Sequence, residues 1–314
     1  MLRTVQHLKD WRASLGAEAK DVAVVVGTFH ILHPGNLAAI RAAKKCSRHV
    51  CVILEGDACG SNECDRPVIS LAERAEMVAG LKDIDVVASF SPRDAAKCIA
   101  SLKPFLLVSC KKQVDGPLAA RAVVLADARV VIPTIPGCFT PDILRAIRDG
   151  KTPILLPKCY SRTRRTSGVN PRRGRLVTVN GCFDVLHIGH LRFLAEAATL
   201  GDRLVVLVNN DDSVRRYKGS TRPVFPLAFR RSALMALKPV SDVRPFAADN
   251  PLRLLEGLKP AVHVKGGSYE PERVKDERKL LRQWGGLVAF CQMVEGRSTS
   301  NYLRKVSDSQ DDCP

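Results

Sequence analysis

Two histidines three residues apart, His187 and His190, stand in the segment NGCFDVLHIGHLRFL. Just before it, LVTVN (176–180) is rich in β-branched residues and ends at Gly181, which predicts a strand. Residues 189–200 carry Leu191, Leu194, Ala195 and Ala198 at helical spacing, which predicts a helix. The histidines therefore fall where a strand gives way to a helix. At i, i+3 on one helical turn both imidazoles can face a single point. The free N–H groups and partial positive charge of the helix start aim there too. Gly189, between the histidines, allows a ligand to approach closely. This arrangement suits a phosphate group and its transition state. The plain alternative is two polar residues at a helix start with no role. A zinc site would need a third ligand, and none is evident at suitable spacing.

The elements around this pair alternate. DRLVVLVNN (202–210) is a continuous apolar run, as expected for a strand buried on both faces. LAFRRSALMAL (227–237) reads as a helix; VSDVRPF (240–246), PLRLLEGL (251–258) and AVHVKGG (261–267) read as strand, helix and strand. KDERKLLRQWG (275–285) is a helix stopped by Gly285 and Gly286, and LVAFCQM (287–293) is a last strand. Such alternation predicts an α/β fold with a parallel sheet flanked by helices. Ligands of such sheets sit at the carboxyl ends of the strands, where His187 and His190 fall.

The pattern occurs twice. GTFHILHPGNL (27–37) matches GCFDVLHIGHL (181–191) at an offset of 154, and Asp57 matches Asp211 at the same offset. RPVISLAER (66–74) matches RPVFPLAFR (222–230), and LKPFLLVS (102–109) matches LKPAVHVK (258–265), both at 156. A two-residue insertion in a loop accounts for the slip. The chain is read as a tandem duplication: a first domain over 1–150, a basic linker over 151–175, and a second domain over 176–314. At 314 residues it is long enough for both.

Composition sets the outer bounds. Hydrophobic residues make up 46% and charged residues 26%, which excludes a largely disordered or collagen-like chain. No apolar run reaches the ~18–20 residues of a membrane span, and no signal peptide is read at the start, so a cytoplasmic protein without membrane partners is expected. Net charge is +17, which favours anionic partners. Lys151, Lys158, Arg162, Arg164, Arg165, Arg172, Arg173 and Arg175 contribute eight positive charges with no acid among them. Without aromatic interleaving or a DNA-reading motif, that stretch reads as a solvated linker, and nucleic acid is not an expected partner. The 11 cysteines are scattered with no C-x-x-C pair, so reduced thiols are expected and no metal site is assigned.

The segments NGCFDVLHIGHLRFLAEAATLGDRLVVLVNND, RRYKGSTRPV, VKGGSY and EGRSTSNYL, in that order, resemble the HIGH-motif nucleotidyltransferase superfamily, which includes cytidylyltransferases and class I aminoacyl-tRNA synthetases. More closely, residues 174–306 resemble the adenylyltransferase domain of bacterial bifunctional heptose kinase/adenylyltransferases. The resemblance implies tandem Rossmann-like nucleotidyltransferase domains. It also implies transfer of AMP from ATP to a sugar 1-phosphate, D-glycero-β-D-manno-heptose 1-phosphate being the favoured acceptor, with Mg²⁺ accompanying ATP. Under it His187 and His190 stabilise the pentacovalent α-phosphate. Lys218, in the loop YKGSTRP, and Arg230 meet phosphates. Gly266 and Gly267 admit the base or ribose, and Arg297, Ser298, Thr299 and Ser300 lie at the phosphate-gripping start of the last helix. Gly181, Phe183, Asp184, Gly189, Asp211 and Lys265 complete the implied nucleotide site. Each keeps a plain alternative: a surface lysine for Lys218, a helix-surface arginine for Arg230, a turn for the glycines, an N-cap for the hydroxyls. Two departures stand out: Ser268 where the family usually has an acid, and Ser300 where threonine is commoner.

In the first copy Asn36 replaces the second histidine, Ser109 stands for Lys265, Cys110 and Lys111 stand for the glycines, and Phe139 and Pro141 displace two hydroxyls. No lysine occupies the loop 57–67, while Arg74 is kept opposite Arg230. That copy is expected to be inactive and to serve as a built-in partner, as in the tandem ethanolamine-phosphate cytidylyltransferases. The result is an intrachain pseudo-dimer, with a further homo-oligomer left open. A CTP enzyme acting on glycerol phosphate or ethanolamine phosphate, and a non-catalytic nucleotide-binding scaffold, remain alternatives.

Overall fold

The structure is a computed structural model and describes residues 5–57, 69–90, 92–108, 129–131, 140–148, 174–267, 271–291 and 299–308. The chain divides into two compact units: Met1–Arg145 with Arg304–Pro314, and Ala146–Leu303. The residues from Arg304 thus group with the first unit, whereas the repeat alone assigns all of 176–314 to the second domain. The basic stretch 151–173 lies outside the described residues.

The first unit holds five parallel strands: β1 (Val22–Gly27), β2 (His49–Glu55), β3 (Val86–Phe90), β4 (Leu106–Val108) and β5 (Arg129–Val131). They pair in the order β3-β2-β1-β4-β5. Its helices are α1 (Val5–Ser14), α2 (Pro34–Cys46), α3 (Leu71–Ala79), α4 (Pro92–Leu102) and α5 (Thr140–Arg148). Every residue of β1 is buried, as befits a central strand covered on both faces.

The second unit repeats the plan. Its strands are β6 (Leu176–Gly181), β7 (Arg203–Asn209), β8 (Asp242–Phe246), β9 (Val262–Gly266) and β10 (Leu287–Cys291), ordered β10-β9-β6-β7-β8. Read from its own first strand, this is the order of the first unit. The helices are α6 (Ile188–Ala198), α7 (Asp211–Lys218), α8 (Leu227–Ala236), α9 (Leu252–Leu258), α10 (Lys275–Arg282) and the first residues of α11 (Thr299–Asp308), whose end from Arg304 groups with the first unit. The expected tandem of parallel α/β domains is the observed architecture.

Two local differences from the sequence reading have clear causes. The helix predicted over 275–285 ends at Arg282, and the backbone N–H of Gly286 reaches back to Leu281 O at 2.9 Å. Helix α7 is not among the elements expected from the sequence. It is strongly polar and buries just Ser213 and Val214, so no apolar stripe announces it. Its signal is at the ends: Asn210 caps it, accepting from Ser213 N at 2.9 Å; Asp211 and Asp212 open it; Arg215, Arg216 and Lys218 close it.

Candidate active site

The β6–α6 turn builds the centre of the site. Phe183 adopts a left-handed backbone, φ +46°, and its ring folds back over the strand end. A Cβ on Gly181 would lie 3.1 Å from Phe183 Cε2, so the glycine is what lets the ring lie there. The first unit shows the same device: Phe29 has φ +51°, and a Cβ on Gly27 would meet its ring at 3.0 Å.

His187 is the N-cap residue of α6, and its side chain makes no capping bond. Its carbonyl accepts from His190 N at 2.9 Å and Leu191 N at 3.2 Å, which starts the helix. The two imidazoles lie together, with ring centroids 3.8 Å apart and planes 31° apart. Phe183 packs against His190 at 5.2 Å. Burial, with a smaller push from His187, drives the His190 imidazole well below the ordinary histidine range. At neutral pH it is therefore uncharged and able to donate one N–H. Its Nδ1 is buried with no hydrogen-bond partner among the described residues.

Helix α11 comes to the same place. Thr299 Oγ1 approaches Val185 O at 3.5 Å, and the Tyr302 ring stacks on His187 at 6.0 Å with planes 8° apart. Tyr302 is a site residue that sequence reasoning missed. The signal was its position three residues after Thr299, one helical turn into a helix whose start was recognised but whose inward face was not read. Ser300 is exposed. Arg297 and Ser298 lie outside the described residues.

Several expected ligand residues have other partners. Arg230, placed by sequence at the phosphates or on the helix surface, is in neither setting: it is fully buried. Its Nε donates to Phe225 O at 3.0 Å, Nη1 to Cys182 O at 2.6 Å and Nη2 to Asp211 Oδ1 at 2.8 Å. Asp211 also accepts from Leu227 N at 2.9 Å. The pair clamps α8 and the start of α7 to the β6 turn. Arg74 repeats this in the first unit, donating to Ile69 O at 3.2 Å, Glu55 O at 2.9 Å, Asp57 at 2.6 Å, and to Thr28 O. A clamp kept in both copies belongs to the fold.

Asp184 is buried and accepts from Arg222 Nε at 2.6 Å, Val224 N at 2.9 Å and Phe225 N at 3.0 Å, which ties down the segment ahead of α8. In the first unit the same position is His30, buried and held to a pKa of about 4 chiefly by that burial, with the Arg74 charge adding to it. Lys265 turns inward to Asn180 Oδ1 at 2.8 Å and Glu277 Oε1 at 2.9 Å. Lys218 is exposed at the end of α7, close enough to Cys182 for its charge to bear on that thiol. Gly266 ends β9, and Gly267, at φ +95°, donates its N–H to Cys291 O at 2.9 Å, a backbone conformation that favours glycine. Gly189 is buried in the first turn of α6.

Among the described residues no group of three or more His, Cys, Asp or Glu side chains is placed to hold a metal ion. The nearby carboxylates, Asp184 and Asp211, already face arginines and backbone N–H groups.

A parallel sheet with a paired-histidine helix start at its carboxyl end defines a class, and comparison with known proteins agrees. The pattern of the cytidylyltransferase-like family matches twice, over residues 24–130 and 178–303, and the chain belongs to that family of nucleotidyltransferases. Similar proteins include the bifunctional protein HldE of Geotalea uraniireducens (strain Rf4), 49% identical over 135 residues, which are 43% of this chain and 27% of that protein. The protein of the same name from Klebsiella pneumoniae subsp. pneumoniae is 44% identical over 141 residues, 45% of this chain and 29% of its own. The chain thus matches less than a third of the length of these relatives. A lipopolysaccharide core biosynthesis protein from Thermoplasma volcanium GSS1, a solved structure, is 26% identical over 39% of this chain and 98% of its own, with a TM-score of 0.33. No helix among the described residues is long and apolar enough to cross a membrane.

Proposed function

We propose that the second unit transfers AMP from ATP to a sugar 1-phosphate, with D-glycero-β-D-manno-heptose 1-phosphate as the favoured acceptor. The observation that carries this reading is the His187–His190 pair, 3.8 Å between ring centroids, at the start of an α-helix at the carboxyl end of the sheet. The free N–H groups there can donate to the oxygens of the triphosphate. A phosphate oxygen of the sugar 1-phosphate forms a bond to the α-phosphorus. The bond from that phosphorus to the bridging oxygen breaks, and its electron pair leaves with pyrophosphate. The attacking oxygen is already anionic, so no base is required. The histidines donate to the α-phosphate oxygens as charge builds in the transition state, and α11 closes over them through Tyr302 and Thr299. Lys218 supplies a mobile positive charge from the exposed end of α7. When bound to the triphosphate, Mg²⁺ would neutralise part of its charge.

The first unit is read as a non-catalytic partner domain, 1–150, with 151–175 as linker and 176–314 as the catalytic domain. Support for the non-catalytic reading comes from the use of His33 as a helix cap. The deciding experiment measures pyrophosphate release over four nucleoside triphosphates and a panel of phosphorylated acceptors. ATP with a heptose 1-phosphate should give the highest kcat/KM. A higher value for CTP with glycerol or ethanolamine phosphate would replace this reading with a cytidylyltransferase, and no release with any pair would leave a nucleotide-binding scaffold.

A further inference from the structure

The two copies share a fold but differ in what lies under the central strand. In the second unit Thr178 of β6 is the register partner of His263 of β9, and Thr178 Oγ1 lies 2.8 Å from His263 Nδ1. Two residues along, Lys265 Nζ meets Asn180 Oδ1 at 2.8 Å and Glu277 of α10 at 2.9 Å. Thr178, His263, Lys265 and Glu277 are all buried, and His263 Nε2 has no hydrogen-bond partner among the described residues. In the first unit the matching positions are Val24, Val26 and Leu107. Val24 is the register partner of Leu107, and all three lie in one apolar cluster.

The fold therefore closes with hydrocarbon at these positions, which is ordinarily at least as stable as a buried ion pair and an orphaned imidazole nitrogen. The polar version has one geometric consequence the apolar one lacks. It bridges β6 to β9, and β9 to α10, immediately before Gly181 and Gly266–Gly267. Those are the strand ends that flank the candidate site.

We propose that the ladder Thr178–His263 and Asn180–Lys265–Glu277 is a positioning device, fixing the separation of the β6 and β9 ends so that nucleotide and acceptor meet in line. The inference rests on the nucleotidyl-transfer reading of the site. These are positioning residues: they act through the strand ends and touch no substrate.

The test gives the second unit the first unit's residues in the full chain: Thr178→Val, Asn180→Val and His263→Leu together. The triple variant should keep or raise its Tm, lose about 100-fold in kcat as misplacement costs alignment, and bind ATP with Mg²⁺ within severalfold of wild type. Backbone hydrogen exchange at 181–183 and 266–267 should speed up at least tenfold. If the triple variant does not fold, Asn180→Val alone, which severs one rung and leaves Lys265 paired with Glu277, should give about a tenfold loss of kcat with only a small fall in Tm. Exchange at the strand ends that stays as slow as in wild type, whatever the turnover, overturns the proposal. So does a kcat within threefold of wild type, or a fall in Tm that parallels the loss of activity. A wild-type chain that releases no pyrophosphate fails the nucleotidyl-transfer reading instead, and the exchange measurement still decides the ladder.

Discussion

Asn36 donates its backbone N–H to His33 Nδ1 at 3.4 Å, and its side-chain Oδ1 accepts from the His33 N–H at 3.1 Å. This reciprocal capping box turns the first unit's remaining histidine into the cap of α2, with Pro34 behind it. In the second unit His190 stands at the position of Asn36. It cannot complete that box, and His187 makes no side-chain cap bond, so its ring is held against His190. Two exchanges, Pro34 for Ile188 and Asn36 for His190, separate the capped helix start from the uncapped one.

His33→Ala should accordingly leave pyrophosphate release unchanged while lowering the stability of the first unit by about 1 kcal/mol, the usual cost of a lost cap. Denaturant unfolding alongside steady-state turnover checks both halves. A large loss of turnover would mean that the first copy takes part in catalysis.

Under the proposed reaction, His190→Ala removes a neutral donor to the α-phosphate. We expect kcat to fall roughly 10²–10³-fold, or ~3–4 kcal/mol of transition-state stabilisation. Affinity for ATP should change much less. Turnover close to wild type would remove the histidine pair from the mechanism.

Tyr302→Leu keeps an apolar side chain but deletes the ring stacked on His187. A loss of about tenfold in kcat, matching the ~0.5–1.5 kcal/mol of an aromatic contact, should appear with ATP affinity little altered. If Tyr302 merely fills space, kcat will hold and any effect will be on Tm.

Arg230→Met and Arg74→Met should each destabilise their own unit by roughly 3–5 kcal/mol, because each strands carbonyl and carboxylate acceptors that the guanidinium satisfies. Calorimetry on both variants separates a fold clamp from a phosphate ligand. An Arg230 variant that kept its stability but lost ATP binding would restore the phosphate role.

His263 ordinarily titrates near 6.5, but burial and the nearby Lys265 charge push it down to about 3. The unfolded chain then takes up a proton that the folded chain refuses. Stability is complete above pH 6.5 and falls as pH drops toward 3. Between pH 7 and pH 5 the wild type should lose roughly 2 kcal/mol more than His263→Leu. Chemical denaturation at the two pH values reads the difference directly, and equal losses would show that His263 is not the group responsible.

The sequence by itself determined the duplication, the parallel α/β plan and the place of the paired histidines. The duplication rests on segments that match at a fixed offset, and the other two on local pattern: β-branched strands, helical spacing, and the His-x-x-His offset at a strand-to-helix junction. It also located α11 at the GRSTS segment, though not the inward side of that helix where Tyr302 stands. Tertiary structure decided which charged residues face a ligand and which face the protein. Arg230, Asp184 and Lys265 look alike in sequence as polar groups near strand ends, yet each is closed off by partners 38, 48 or 85 residues away. The same long-range pairing sets Thr178 against His263, 85 residues on, where the first copy sets Val24 against Leu107. Spacing along a chain fixes what shares a helix turn or a strand face. Whether a buried charge is free depends on what another strand or helix brings against it, and that is settled only when the sheet has closed.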